Sequence, residues 1–315
     1  MSRIRRYTYT IVIFGAASLL VILFSLLTGG DRIGYTLPDL ALVDPNAVRE
    51  IVIARAGGAV SLARTEHGWL VRPGGYPAHQ PSADFLLDAL VNLTIMDVVS
   101  TRDDLSRFDL DEEHRISVAL IGTGEGGVQD VVLRAIEIGR LASTYGHTYV
   151  RIPGDNRILQ AQGQLRTAFD RNVEILRDKS VFAFDPADVT EIVASAPFSE
   201  IKEVRVVRGD DGWQRASVAM LVPDNADRLD RNSVDGALSF FGSLPAYIFR
   251  YEEAPLTAPW LVVEFVADKR HVLSVYKLEG NLFPARTSNS EYDFKMAQFQ
   301  VSFITELLGI ELPLE

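Results

Sequence analysis

The chain has 315 residues, 47% apolar and 23% charged, a globular balance that argues against disorder over its length. Its formal net charge of −11 argues against a nucleic-acid partner, because phosphate binding needs a basic surface that displaces counterions. The absence of cysteine excludes disulfides, thiolate metal sites, a cysteine nucleophile and a lipidated-cysteine anchor, and it suits an oxidising compartment.

Arg3, Arg5 and Arg6 lie in the first six residues, and no charged residue follows from Tyr7 to Gly30. Ile11–Leu27, the centre of that stretch, reads IVIFGAASLLVILFSLL, and at ~1.5 Å per residue about 20 such residues cross a hydrocarbon core of ~30 Å. Tyr7 and Tyr9 stand at an aromatic-belt position, and Gly29-Gly30 ends the run. The basic flank keeps residues 1–6 in the cytoplasm and sends the rest across the membrane. A cleaved signal peptide is the competing reading. The run exceeds the usual ~7–15-residue apolar region, and Leu27-Thr28-Gly29 is a poor cleavage site. Residues 7–30 are therefore expected to form an uncleaved transmembrane helix in contact with lipid. Gly15, Ala16, Ala17 and Ser18 give it a small-residue face for packing against a membrane partner.

After a linker over 31–43, the chain reads as one unit written twice, over 44–184 and 185–315. Asp44–Val52 and Asp185–Val193 share the pattern D-P-x-x-V-x-E-I-V, and His67-Gly68-Trp69 answers Asp211-Gly212-Trp213. Each unit opens with a strand, Val48–Ala54 or Val189–Ala194. A second strand, Val60–Arg64 or Val204–Arg208, ends in a Gly-Trp turn. A Pro-bearing loop leads to a helix. The first helix starts near Pro81 and carries Phe85, Leu86, Ala89, Leu90 and Leu93; its apolar stripe ends Thr94–Val99, a surface for its own sheet or for a partner. In the second copy Asn232 or Ser233 caps a helix with Val234, Leu238, Phe241 and Leu244 on one face. Strands Ile116–Ile121 and Val131–Ile138 follow in the first unit, Leu261–Val266 and His271–Leu278 in the second, joined by turns at Gly122–Gly127 and Ala267–Arg270. Ala161–Leu165 and Ala297–Val301 each lead into a short helix. The predicted fold is α+β: an N-terminal transmembrane helix, then two tandem antiparallel sheets covered by helices.

The strand V-R-E-I-V-I, then G-W-L-V, the helix F-L-L-D-A-L, the stretch D-D-L-S-R-F-D-L-D, then I-S-V-A-L and Y-V-R-I, with the junction Leu176–Asp185, resemble a bacterial family, the domain of unknown function 4340. The resemblance covers Asp44–Ile201 well and the second unit loosely. It implies a protein anchored in a bacterial inner membrane with its bulk periplasmic or extracellular, of a kind often encoded beside ABC transporters of the gliding-motility type, and it carries no catalytic residues. Asp109 stands where the family favours Gly, and Glu112-Glu113 where it favours Pro.

The motifs point to no catalytic, cofactor or metal residues. Gly122–Gly127 matches G-x-G-x-x-G, yet Val128–Ile138 is strand-like where a dinucleotide site needs a helix, so a hairpin tip is expected. His67, His79, His114, His147 and His271 are scattered, without zinc-ligand spacing. The acidic run Asp103, Asp104, Asp109, Asp111, Glu112 and Glu113 lacks the glycine of a calcium loop and reads as solvated. Three functions follow in order. The first is a non-catalytic accessory protein whose anchor meets an ABC-transporter-type membrane protein. The second is a periplasmic polysaccharide- or lipid-binding module using a cleft between the repeats, with Trp69, Trp213, Tyr145 and Tyr247 as candidate lining. The third is a hydrolase with a site assembled from distant residues.

Overall fold

Alternation of apolar and polar residues, the two-residue period of a half-buried strand, dominates the chain beyond the linker. In Ile116–Gly122, Ile116, Val118 and Leu120 are buried while the residues between them are not; Leu261, Val263 and Phe265 repeat the pattern in Leu261–Val266. The computed structural model describes residues 36–310, apart from 103, 129, 145, 200–202, 211, 219–228 and 252–254. The run predicted to cross the membrane, 7–30, and its small-residue face Gly15–Ser18 lie outside the described residues. Among the described residues no helix is long and apolar enough to span a bilayer.

The first sheet is built from β1 (Val48–Arg55), β2 (Gly58–Thr65), β3 (Gly68–Arg72), β4 (Tyr76–Pro77), β5 (Ile95–Ser100), β6 (Ile116–Gly122), β7 (Val131–Leu141), β8 (His147–Arg151) and β9 (Ile158–Gln162). Helix α1 (Gln80–Val91) lies between β4 and β5, and the short helices α2 (Leu165–Phe169) and α3 (Val173–Leu176) follow β9. The second sheet uses β10 (Glu191–Ser195), β11 (Glu203–Gly209), β12 (Gly212–Val218), β13 (Ile248–Phe249), β14 (Leu261–Val266), β15 (Arg270–Val275), β16 (Leu282–Thr287) and β17 (Phe294–Ala297). Helix α4 (Arg231–Phe241) precedes β13 and α5 (Gln298–Leu308) follows β17.

The strand orders are β4-β3-β2-β1-β6-β7-β8-β9-β5 and β12-β11-β10-β14-β15-β16-β17-β13. With β4 set aside they read the same strand for strand, and their ladders are antiparallel. The fold is thus α+β, mostly β, with two antiparallel sheets of one topology. The chain divides into two units, one of residues up to 61 with 85–170, the other of residues 62–84 with 171–315. In the second unit Phe241, Phe265, Phe283 and Phe294 centre a core that excludes water.

Several local expectations change. Gly68-Trp69 and Gly212-Trp213 do not end a strand; each starts a further one, β3 and β12, because a Gly at φ 112° or 116° turns the chain and an extended stretch follows. The first helix stops at Val91, and Ile95–Ser100 is not the tail of its stripe but edge strand β5, paired with β9. Ile95 and Val98 are both buried although three residues apart, because the register against β9 shifts between Ile95 and Asp97 and so breaks the two-residue alternation. The cap of α4 is Asp230, whose carboxylate accepts from the Ser233 amide at 2.9 Å, rather than Asn232 or Ser233. Gly122–Gly127 does connect two antiparallel strands, β6 and β7.

Candidate functional site

The duplicated element is a Gly-Trp corner. In the first copy the indole of Trp69 is 3% exposed, its Nε1–H donates to Asp84 Oδ1 on α1 at 3.1 Å, and the Arg64 guanidinium lies 4.6 Å from the ring centroid. In the second, Trp213 is 2% exposed, donates to Asp235 Oδ1 on α4 at 3.1 Å and has Arg208 at 4.7 Å. Each indole ties its strand to its helix, and each Asp44 or Asp185 side chain accepts from the amide two residues on at 2.9 Å to start the unit. Of the residues proposed to line a ligand cleft, Trp69 and Trp213 are therefore buried in separate sheets, Tyr247 is exposed, and Tyr145 lies outside the described residues.

A second cluster, which sequence reasoning missed, surrounds Arg177 within the unit of residues 62–84 and 171–315. Asn172 caps α3 by accepting from the Ile175 amide at 3.0 Å, and the chain leaves the helix extended at Arg177. There it is stitched to the end of β4: His79 N–H donates to Leu176 O and Asp178 N–H to Pro77 O, each at 2.8 Å. This fixes the Arg177 side chain against four rings. Its Cζ lies 3.3 Å from the Phe249 centroid, 3.9 Å from Tyr76, 4.2 Å from Tyr292 and 5.7 Å from Tyr251. Arg177 as a whole is 2% exposed. Ring faces are electron-rich, so such a cage offsets part of the cost of burying the charge.

Polar partners complete one side. Arg177 Nη1 donates to the Tyr251 hydroxyl at 3.0 Å, and that hydroxyl donates to Glu174 Oε2 at 2.8 Å. Glu174 Oε1 accepts from the Phe249 amide at 3.2 Å, with Lys179 Nζ at 3.6 Å. Burial raises the Tyr251 pKa, Glu174 adds to the rise and Arg177 opposes it, which keeps the phenol neutral and able to donate. Burial also raises the Tyr292 pKa, with a hydrogen bond to Glu291 acting the same way. Nη2 of Arg177 is buried and has no hydrogen-bond partner among the described residues. Beside the cage opens a pocket of about 350 Å³, lined by Arg177, Asp178, Ser180, Asn289, Glu291 and Tyr292 among others. No local pattern announces this cluster: its rings come from β4, from β13 and its exit, and from the loop before β17.

The acidic run is only partly gathered. His114 Nδ1 and Asp111 Oδ1 are 2.7 Å apart; their hydrogen bond lowers the Asp111 pKa and raises that of His114. Among the described residues no group of three or more His, Asp or Glu side chains could hold a metal ion. Residues 69–244, more than half of the chain, match the family model described as Domain of unknown function (DUF4340). No curated protein and no solved structure matches the chain.

Proposed function

The chain belongs to the DUF4340 family, and from that premise we propose that it is a non-catalytic accessory protein, anchored in the inner membrane by residues 7–30, whose extracytoplasmic units serve a membrane complex of the ABC-transporter type. The observation that carries this reading is the uncharged run 7–30 behind three arginines, joined to a segment that is held rather than loose. Arg134, buried on β7, donates through Nη1 to Leu90 O at 2.6 Å and Val91 O at 2.8 Å at the end of α1, and through Nη2 to Ala41 O. Arg157 Nη1 donates to Thr36 O at 2.8 Å. Between Gly30 and the first held carbonyl only a few residues intervene, a reach of at most about 20 Å at ~3.5 Å per residue. A helix in lipid would then keep the first unit close to the membrane surface, within reach of a partner's extracellular face.

The missing cysteines make the test clean. In Ser239→Cys, at an exposed position of α4, a membrane-impermeant maleimide should label intact spheroplasts; in Ser2→Cys labelling should require permeabilisation. Photo-crosslinkers placed at Gly15 and Ser18 should capture a transporter subunit. A protein released by alkaline carbonate without detergent, or crosslinked to lipid alone at both positions, overturns the reading.

A further inference from the structure

The cage around Arg177 is more than a packed cation. Its unmatched donor, Nη2, is buried, and an unpaired buried donor is costly, the more so when charged. Four rings temper the charge, but Nη1 alone bonds one of their hydroxyls, that of Tyr251, and Nη2 has no acceptor among the described residues. The same residue lines a pocket of about 350 Å³, within the ~300–1,000 Å³ usual for small-ligand sites.

The remaining lining decides the chemistry of an occupant. Asp178 Oδ1 accepts from the Ser180 amide at 2.9 Å, which leaves Oδ2 open among the described residues. Glu291 is exposed at the rim beside Tyr292, and Ser180 and Asn289 contribute further polar atoms. A simple anion would satisfy Arg177 but meet two carboxylates. A simple cation would satisfy the carboxylates but meet the guanidinium. A hydroxyl does both, accepting from the guanidinium while donating to a carboxylate. Several hydroxyls on a ring with an apolar face would also suit the half-buried Tyr292 ring. The geometry points to a binding site for a neutral, hydroxyl-rich ligand, a saccharide unit, in the pocket formed by Arg177, Asp178, Ser180, Asn289, Glu291 and Tyr292. This site lies within one unit, and it stands or falls independently of the membrane partner proposed above.

The test is saturation-transfer NMR on the full chain, held in a detergent without a sugar head group. The probes are glucose, N-acetylglucosamine and maltose, with inorganic phosphate and putrescine as charged competitors. The expected result is transfer to ring protons of at least one saccharide at millimolar concentration, with affinity falling at least fivefold in Asp178→Asn and in Glu291→Gln at an unchanged melting temperature. Should those variants melt early, Ser180→Trp, an exposed position whose side chain fills the pocket, should abolish transfer instead. No transfer to any of the three sugars, transfer indifferent to all these substitutions, or displacement by phosphate or putrescine at equal concentration overturns the assignment.

Discussion

The two Gly-Trp corners are the same device in two settings, and their difference shows where this fold departs from simple duplication. Both bury an indole, aim it at a helix carboxylate at 3.1 Å and cover it with an arginine. Only the first is followed, among the described residues, by an extra strand. There Gln80, the first residue of α1, accepts from the Trp69 amide at 2.8 Å and donates to Ala78 O at 2.8 Å, holding the two-residue β4 against β3. That strand presents Tyr76 to Arg177. The repeat supplies the scaffold, and the short strand outside the repeat helps to build the cage.

Equivalence of the corners can be broken most sharply at the indoles. Burial of a tryptophan dominates local packing, so Trp69→Ala and Trp213→Ala should each cost about 3–5 kcal/mol. Hydrogen exchange reads the loss at the amides of α1 for the first and of α4 for the second. A loss under about 1 kcal/mol at either corner would mean that its indole is decoration and the pairing only a likeness of sequence. The cage comes next. Arg177→Leu gives up a desolvated cation–π cluster and a hydrogen bond to Tyr251, a loss of about 2 kcal/mol in urea unfolding. Arg177→Lys keeps the charge without the planar fork and should lose roughly half of that. A leucine variant as stable as the native chain would show that the rings need no cation between them.

The glycines at the corners sharpen the comparison further. Gly68 and Gly212 sit at φ 112° and 116°, a region that strains any L side chain by ~1–3 kcal/mol. A Cβ at Gly212 would meet nothing nearer than Arg231 Nε at 3.9 Å, whereas one at Gly68 would come within 2.5 Å of Gln80 Oε1. Gly68→Ala should therefore exceed Gly212→Ala by about 1 kcal/mol, the worth of the displaced Gln80 bonds. In a Gln80→Ala background the excess should vanish. Thermal melts of the four variants measure it.

How much of this was legible without coordinates follows from locality. The D-P-x-x-V-x-E-I-V and Gly-Trp signatures act within a strand and its neighbouring turn, so they survive as readable text, and they gave two sheets of one topology. The backbone at Asp109 was not: its left-handed conformation, at φ 56°, is one that a non-glycine residue does not announce. Short elements were not. Two residues of β4 have no period to detect, and Ile95–Ser100 continued an apolar stripe smoothly enough to pass for helix. The Arg177 cage was invisible because Tyr76, Phe249 and Tyr292 are brought together by topology, and nothing near any of them in sequence marks the others.

The smallest effect concerns the approach to the strand shared by both sheets, β6 in one and β14 in the other. The first copy enters β6 past the Asp111–His114 pair, while the second enters β14 through Pro255–Trp260, which has no titratable group. The pair's own hydrogen bond raises the His114 pKa above its ordinary 6.5 and lowers that of Asp111 below 3.8. A raised histidine stabilises the fold fully below 6.5 and loses that contribution as pH rises through the folded value; a lowered aspartate stabilises it above 3.8 and loses that as pH falls through its own folded value. Both contributions coexist only between about 3.8 and 6.5, so the loop before β6 should be held best near pH 5 and loosen toward pH 8. The His114 side chain is 53% exposed and that of Asp111 23%, so water screens the pair from the histidine side, which keeps the effect small. An NMR titration should place the His114 midpoint above 6.5 and return it there in Asp111→Asn. A native midpoint at or below 6.5 would mean the contact does not persist in solution, and the two approaches would then differ in sequence without differing in physics.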